Sequence, residues 1–373
     1  MNIALQLARE DFAANFCATL QHFLRWRDER DYRVTWNGPS GRGVAILYVH
    51  PRLGIAVPEW TDPRELGFVW RELRGGKNLV ESVARRAYLA AHLAPGPSRR
   101  ALAAHTVTID PTPGRFSNGF YVPGGNQVRW FDTSERRCYV ALKRGFPERY
   151  FRAQVDVRRR PETPAPTLLQ VDDEALVFCE EIVTGRARVD AALPEREQIT
   201  AAALAALGRL AEATAEETSA SAYASEVASA IESHVDGRVA TADAKRAVLL
   251  AKRLAAAVGS ESITTVISHG DLSLGHVLID RLAPDAKPVL VDWEHAARRQ
   301  RSHDALTIRY RHQLPDRFRA ALGNCAASDP LRLYLLEALL FHAREADNPM
   351  LTAQSTGLTP FTDALESLLP RFA

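Results

Sequence analysis

Apolar residues recur at spacings of three and four through residues 3–29, where Leu5, Leu7, Phe12, Phe16, Leu20, Phe23 and Leu24 predict a helical region. Gly38-Pro39-Ser40-Gly41 ends that periodicity, and Val44-Ala45-Ile46-Leu47-Tyr48-Val49 predicts a strand. A second helical region is expected over about 63–94, closing at the boundary signal Ala94-Pro95-Gly96-Pro97. From residue 101 the texture becomes strand-like, with Thr106-Val107-Thr108-Ile109 followed by the turn Pro111–Gly114. Phe116–Val122 and Gln127–Phe131 then flank Pro123-Gly124-Gly125-Asn126, a hairpin signal. Another strand ends in Val140-Ala141-Leu142-Lys143, a short helix is expected over 147–160, and Leu168–Val171 and Ala175–Cys179 give two more strands. Beyond Glu180-Glu181 the chain turns alanine-rich, predicting helices at about 196–216, 218–234 and 241–258. Asp329-Pro330 opens a further helix to Ala346, with Leu335, Leu336, Leu339 and Ala343 on one face.

These elements divide the chain into an accessory α/β region (1–100), a small antiparallel sheet lobe (101–181) and a larger helical lobe (182–373). A chain of 373 residues can bury a core of that extent. Its 47 basic and 45 acidic residues leave a net charge of +2, so nothing calls for a nucleic-acid partner. The four cysteines, Cys17, Cys138, Cys179 and Cys325, lie far apart without a CxxC pair, which predicts free thiols in a reducing compartment. Met1–Phe16 carries Arg9, Glu10 and Asp11 and lacks the apolar core of a secretory signal. No uncharged apolar run approaches the roughly 20 residues of a membrane span, and a cytoplasmic location is expected. The arginine-rich stretches 152–160 and 298–301 read as solvated charge, with contact to an anionic acceptor or a membrane surface as the alternative.

Two strand-like runs inside the helical block end in carboxylates. Ile267-Ser268-His269-Gly270-Asp271 is followed by Leu272-Ser273-Leu274-Gly275-His276-Val277-Leu278, and Val289-Leu290-Val291 leads into Asp292-Trp293-Glu294. One carboxylate to orient and deprotonate a hydroxyl and another to hold the metal on phosphates is the construction of a phosphoryl-transfer site. Asp271 and Asp292 supply two such carboxylates, and hard cations need oxygen ligands. Lys143 ends the strand Val140-Ala141-Leu142-Lys143, and the acids available on the following helix are Glu148, the preferred partner, and Asp156. Gly124 and Gly125 either bring backbone N–H groups close to phosphates or simply turn a hairpin.

With these residues in this order, the chain resembles the aminoglycoside phosphotransferase and choline kinase branch of the protein-kinase-like fold, over about residues 115–345. The resemblance implies an α+β, bilobal protein-kinase-like fold with an N-terminal α/β extension, and a kinase that uses ATP and Mg²⁺. It implies Asp271 as the catalytic carboxylate and Asp292 as the metal ligand. It further implies that Lys143, its partner Glu148, Gly124 and Gly125 lie around the phosphates, with Glu180 and Ile182 in the connector beside the adenine. Asp304 matches a family aspartate that ties the catalytic loop to a helix, and His269 reads as a brace for the loop.

One position departs from that pattern. His276 stands where these kinases place a metal-ligating asparagine, and imidazole is a softer ligand than an amide oxygen, so Mn²⁺ should be tolerated better. Asp271, four residues, His276 and the pair Val277-Leu278 resemble the lipopolysaccharide core heptose and Kdo kinases. The expected acceptor is therefore a sugar hydroxyl of a bacterial surface glycan or lipopolysaccharide precursor. The alternatives are a small molecule such as an aminoglycoside, amino alcohol or free sugar, or a degenerate pseudokinase that only binds nucleotide.

Overall fold

The computed structural model describes residues 3–50, 53–59, 61, 66–67, 79–93, 97–114, 119–183, 185, 193–235, 241–279, 287–311, 315–323, 325–351 and 357–372. The predicted strand at 116–118 and most of the helical region predicted over 63–78 fall outside these residues. The chain forms two compact units: Met1–Phe151 with Pro166–Arg186, and Arg152–Ala165 with Ala187–Ala373.

In the first unit the helical region expected over 3–29 is two helices, α1 (Ile3–Arg9) and α2 (Phe12–Asp28). The break falls at Glu10-Asp11, where the Asp11 side chain caps α2 by accepting the Ala14 N–H at 3.4 Å. Then follow β1 (Arg33–Trp36), β2 (Ala45–His50), β3 (Ile55–Pro58), α3 (Leu79–Leu93), α4 (Pro97–Leu102) and β4 (His105–Asp110). After them come β5 (Gly119–Pro123), β6 (Gln127–Asp132), β7 (Arg137–Leu142), α5 (Arg149–Arg158), β8 (Leu168–Asp172) and β9 (Val177–Glu181). All nine strands join one antiparallel sheet in the order β1-β4-β2-β3-β5-β6-β7-β9-β8. The sheet thus runs without a break across residue 100, where the sequence pattern suggests a boundary.

Strand alternation gives the sheet two faces. Tyr121, Val128, Trp130, Ala141 and Val177 lie on one face and form a core with Phe12, Phe16, Leu20 and Phe23 of α2. On the other face Phe120 packs with Leu89 and Leu93 of α3, and Phe151 of α5 packs against Phe178 with ring centroids 6.0 Å apart. Both faces are buried, so the strands read as dense apolar runs.

The second unit contains α6 (Leu193–Ala213), β10 (Glu216–Ser219), α7 (Ala220–Val235), α8 (Thr241–Ala256), β11 (Ser262–Ser268), β12 (Val277–Leu278), β13 (Val289–Leu290) and β14 (Ala297–Gln300). It ends with α9 (His303–Tyr310), α10 (Pro315–Leu322), α11 (Asp329–Ala346) and α12 (Leu358–Phe372). The leucine stripe of α11, which starts at Pro330 as expected, packs with Leu250 and Leu254 of α8 and Phe361 and Leu365 of α12. Strands β10, β11 and β14 form one small sheet, and β12 and β13 another. The fold is therefore mixed α+β, with a sheet-rich and a helix-rich unit. Among the described residues no helix is long and apolar enough to cross a membrane.

Candidate active site

Strand β11 delivers His269, Gly270 and Asp271, and a carboxylate holds the turn from below. Asp304, at the start of α9, accepts the N–H of His269 at 2.8 Å and that of Gly270 at 3.0 Å. Gly270 has φ +86, and a Cβ there would run into the His295 carbonyl and the Arg299 guanidinium. Only glycine fits such a position. Beyond it the chain alternates, with Leu272 and Leu274 buried among Ile199, Ala203 and Leu207 of α6 while Asp271 and Ser273 keep partial exposure. Apolar anchors on either side thus leave the carboxylate on the accessible edge of a fixed turn.

His276 connects the two aspartates. Its Nδ1 lies 2.7 Å from the Asp271 carbonyl oxygen, which can only accept. That contact therefore uses a proton on Nδ1, and Nε2 lies 3.7 Å from Asp292 Oδ2. Asp292 is held in the left-handed region, φ 71 and ψ 50, a costly conformation for a non-glycine residue. The neighbouring residues fix it: Val291 N–H donates to the His276 carbonyl at 3.0 Å, and Trp293, fully buried, donates Nε1–H to Leu290 at 2.8 Å.

His269 is the brace. Its Nε2–H donates to the Val291 carbonyl at 2.9 Å, and its ring lies 5.5 Å from that of His276 and 4.7 Å from that of Trp293. Burial, with the nearby His276 second, pushes its pKa down to about 4, so it stays neutral, and with its ring wholly buried and Nε2 bonded to Val291 it is out of reach of a substrate proton.

In the first unit, the expected ring of phosphate contacts is arranged differently. Lys143 follows β7 on the α2 side of the sheet and is wholly buried. Its ammonium is paired with Glu10, donates to the Gly125 carbonyl at 2.9 Å, and lies 5.5 Å from the Phe12 ring and 5.4 Å from that of Phe146. Glu10 is itself anchored by Asn15 at 2.9 Å. The pairing with Glu148 is thus corrected: Glu148 is an exposed residue in the turn before α5, and the carboxylate on Lys143 comes from the α1–α2 junction. Local spacing could not reveal a partner 133 positions away. The only hint was an acid pair interrupting an otherwise apolar helical pattern.

Gly124 and Gly125 form the hairpin turn, with Gly124 N–H donating to the Gln127 carbonyl at 2.7 Å. Both are buried, and the Gly125 carbonyl is turned to the lysine. Glu180 is buried in the β9 ladder, and Ile182 N–H donates to the Arg136 carbonyl at 3.0 Å. Arg298 and Arg299 serve the fold: Arg298 bonds the Thr214 carbonyl at 2.8 Å and pairs with Glu216, and Arg299 bonds Ser268 Oγ and the His295 carbonyl.

A model of the phosphotransferase enzyme family (APH) matches residues 125–336, more than half of the chain. No curated protein sequence matches. Among solved structures, a thermostable mutant of the aminoglycoside phosphotransferase APH(4)-Ia is similar at 13% identity and a TM-score of 0.49, covering 68% of this chain and 94% of that one. A choline/ethanolamine kinase family protein from Mesorhizobium loti is similar at 14% identity and a TM-score of 0.46, covering 77% and 94%. Choline kinase LicA from Streptococcus pneumoniae is similar at 13% identity and a TM-score of 0.42, covering 69% and 92%.

Two stability outcomes follow from the buried charges. Glu10→Gln strands the Lys143 ammonium and should cost about 3–5 kcal/mol, read from the urea midpoint, while Glu10→Leu with Lys143→Met should recover most of it. An unchanged midpoint in Glu10→Gln would contradict the ion pair. His269 has a folded pKa of about 4 against 6.5 unfolded. Between those values the unfolded state binds the extra proton, so stability is complete above pH 6.5 and falls as the pH drops towards 4. The loss is on the order of 3 kcal/mol, and His269→Gln should flatten that limb of a denaturation-versus-pH series.

Proposed function

The chain belongs to the phosphotransferase enzyme family, and on that premise we propose that it moves the γ-phosphoryl group of ATP to a hydroxyl of a sugar, in a surface-glycan or lipopolysaccharide precursor. The observation that carries the reaction is the linked series Asp271, His276 and Asp292 on a braced turn. In this reading Asp271 orients the acceptor hydroxyl and takes its proton as the oxygen attacks phosphorus and ADP leaves.

The residues present suit a divalent cation. An imidazole nitrogen and a carboxylate oxygen face each other at 3.7 Å, a spacing that two ligands of one ion can span. His276 and Asp292 would hold it, and the ion would neutralise charge on the nucleotide phosphates. Among the described residues no group of three or more His, Cys, Asp or Glu side chains surrounds a single point, so phosphate and water oxygens would complete the coordination. A nitrogen ligand favours Mn²⁺ relative to Mg²⁺ when compared with an amide oxygen.

The sugar acceptor rests on His276, since Arg298 and Arg299 are occupied within the fold. One observation favours a second reading, a pseudokinase that binds nucleotide without transfer: Lys143 is wholly buried, with the Phe12 and Phe146 rings beside its ammonium. Turnover separates the two. Asp271→Asn should lower kcat roughly 10²–10⁴-fold while the ATP-dependent rise in melting temperature persists. Equal turnover in this variant would remove Asp271 from the chemistry. His276→Asn should stay active with a higher Mg²⁺-to-Mn²⁺ rate ratio, and an unmoved ratio would contradict a ligand role for His276.

A further inference from the structure

Behind the Gly270-Asp271 turn lies a buried charged cluster that the reaction scheme leaves unused. His303 opens α9 and is 1% exposed; Glu337 lies in α11, just past the end of the family match, and is 2% exposed. His303 Nδ1 is 2.7 Å from Glu337 Oε2, and His303 Nε2 is 3.4 Å from the Gly270 carbonyl oxygen. The other Glu337 oxygen accepts the Tyr223 hydroxyl at 2.6 Å and the Gln300 N–H at 2.8 Å.

A carbonyl oxygen can only accept, so the contact to Gly270 uses the imidazole N–H at Nε2. The other charged or titratable groups here are Tyr223, which donates to Glu337, Asp304, whose oxygens take the two turn amides, and Arg299, bonded to Ser268 and His295. The Tyr334 ring covers the imidazole at 5.6 Å.

Gly270 is thus gripped twice, by Asp304 at its N–H and by His303 at its carbonyl, and that carbonyl belongs to the peptide leading into Asp271. We propose that His303 is a positioning residue for Asp271: packed against Glu337, it donates from Nε2 to the Gly270 carbonyl and holds the peptide that leads into Asp271. The proposal rests on the phosphotransferase reading for its kinetic consequence.

Two measurements on the full chain test it. His303→Leu should lower kcat on the order of 10- to 100-fold with KM for nucleotide little changed, and His303→Gln, whose amide can still donate to the Gly270 carbonyl, should recover most of that rate. Hydrogen exchange at the Asp271 amide should quicken in His303→Leu and return towards the wild-type rate in His303→Gln. Wild-type kcat in His303→Leu, or no recovery in His303→Gln, would contradict the proposal. A wild-type chain that transfers from no nucleotide would instead refute the phosphotransferase reading, leaving the exchange result to decide the positioning role.

Discussion

One carboxylate fixes the geometry on which the site depends. Asp304 takes the amide hydrogens of both His269 and Gly270, groups that a tight turn at the end of β11 would otherwise bury without partners. With those amides held, Gly270 can adopt its positive φ, the His269 ring can lie against Trp293 and reach Val291, and Asp271 emerges at the partly exposed edge. The placement of Asp292 follows at one remove, through the His276 carbonyl that receives the Val291 N–H. Without the Asp304 anchor, the orientation of all three functional side chains would be lost together.

Two buried pairs join residues remote in sequence. Lys143 with Glu10 joins the start of the chain to the sheet, and His303 with Glu337 joins α9 to α11. Such pairs add little net stability against apolar equivalents, but removing one partner is costly. They select one arrangement of elements. In the first unit this ties α1 and α2, which precede the region matched by the family, into the same sheet face as β6 and β7.

Much of this was legible in the sequence. Periodicity located the hairpin at Gly124-Gly125, α5, the alanine-rich helices and the start of α11 at Pro330, because local propensity and burial agree there. The run from His269 to Asp292 announced its turn chemistry through Gly270 and its apolar anchors through Leu272, Leu274 and Trp293. Pairing over long separation was not legible. Nothing in Val140-Ala141-Leu142-Lys143 tells which sheet face the lysine meets or that its partner is Glu10. His303 and Glu337 looked like ordinary helix residues, since their contact joins α9 to α11 across 34 positions.

The account stands or falls on phosphoryl transfer at Asp271. The most direct measurement is phosphorus NMR of the chain incubated with ATP, Mn²⁺ or Mg²⁺ and a panel of sugar and amino-alcohol acceptors. The predicted result is a new phosphomonoester resonance rising in step with ADP for at least one acceptor and absent when Asp271→Asn replaces the wild type. A panel that yields no phosphomonoester, or one that Asp271→Asn produces equally well, would contradict it.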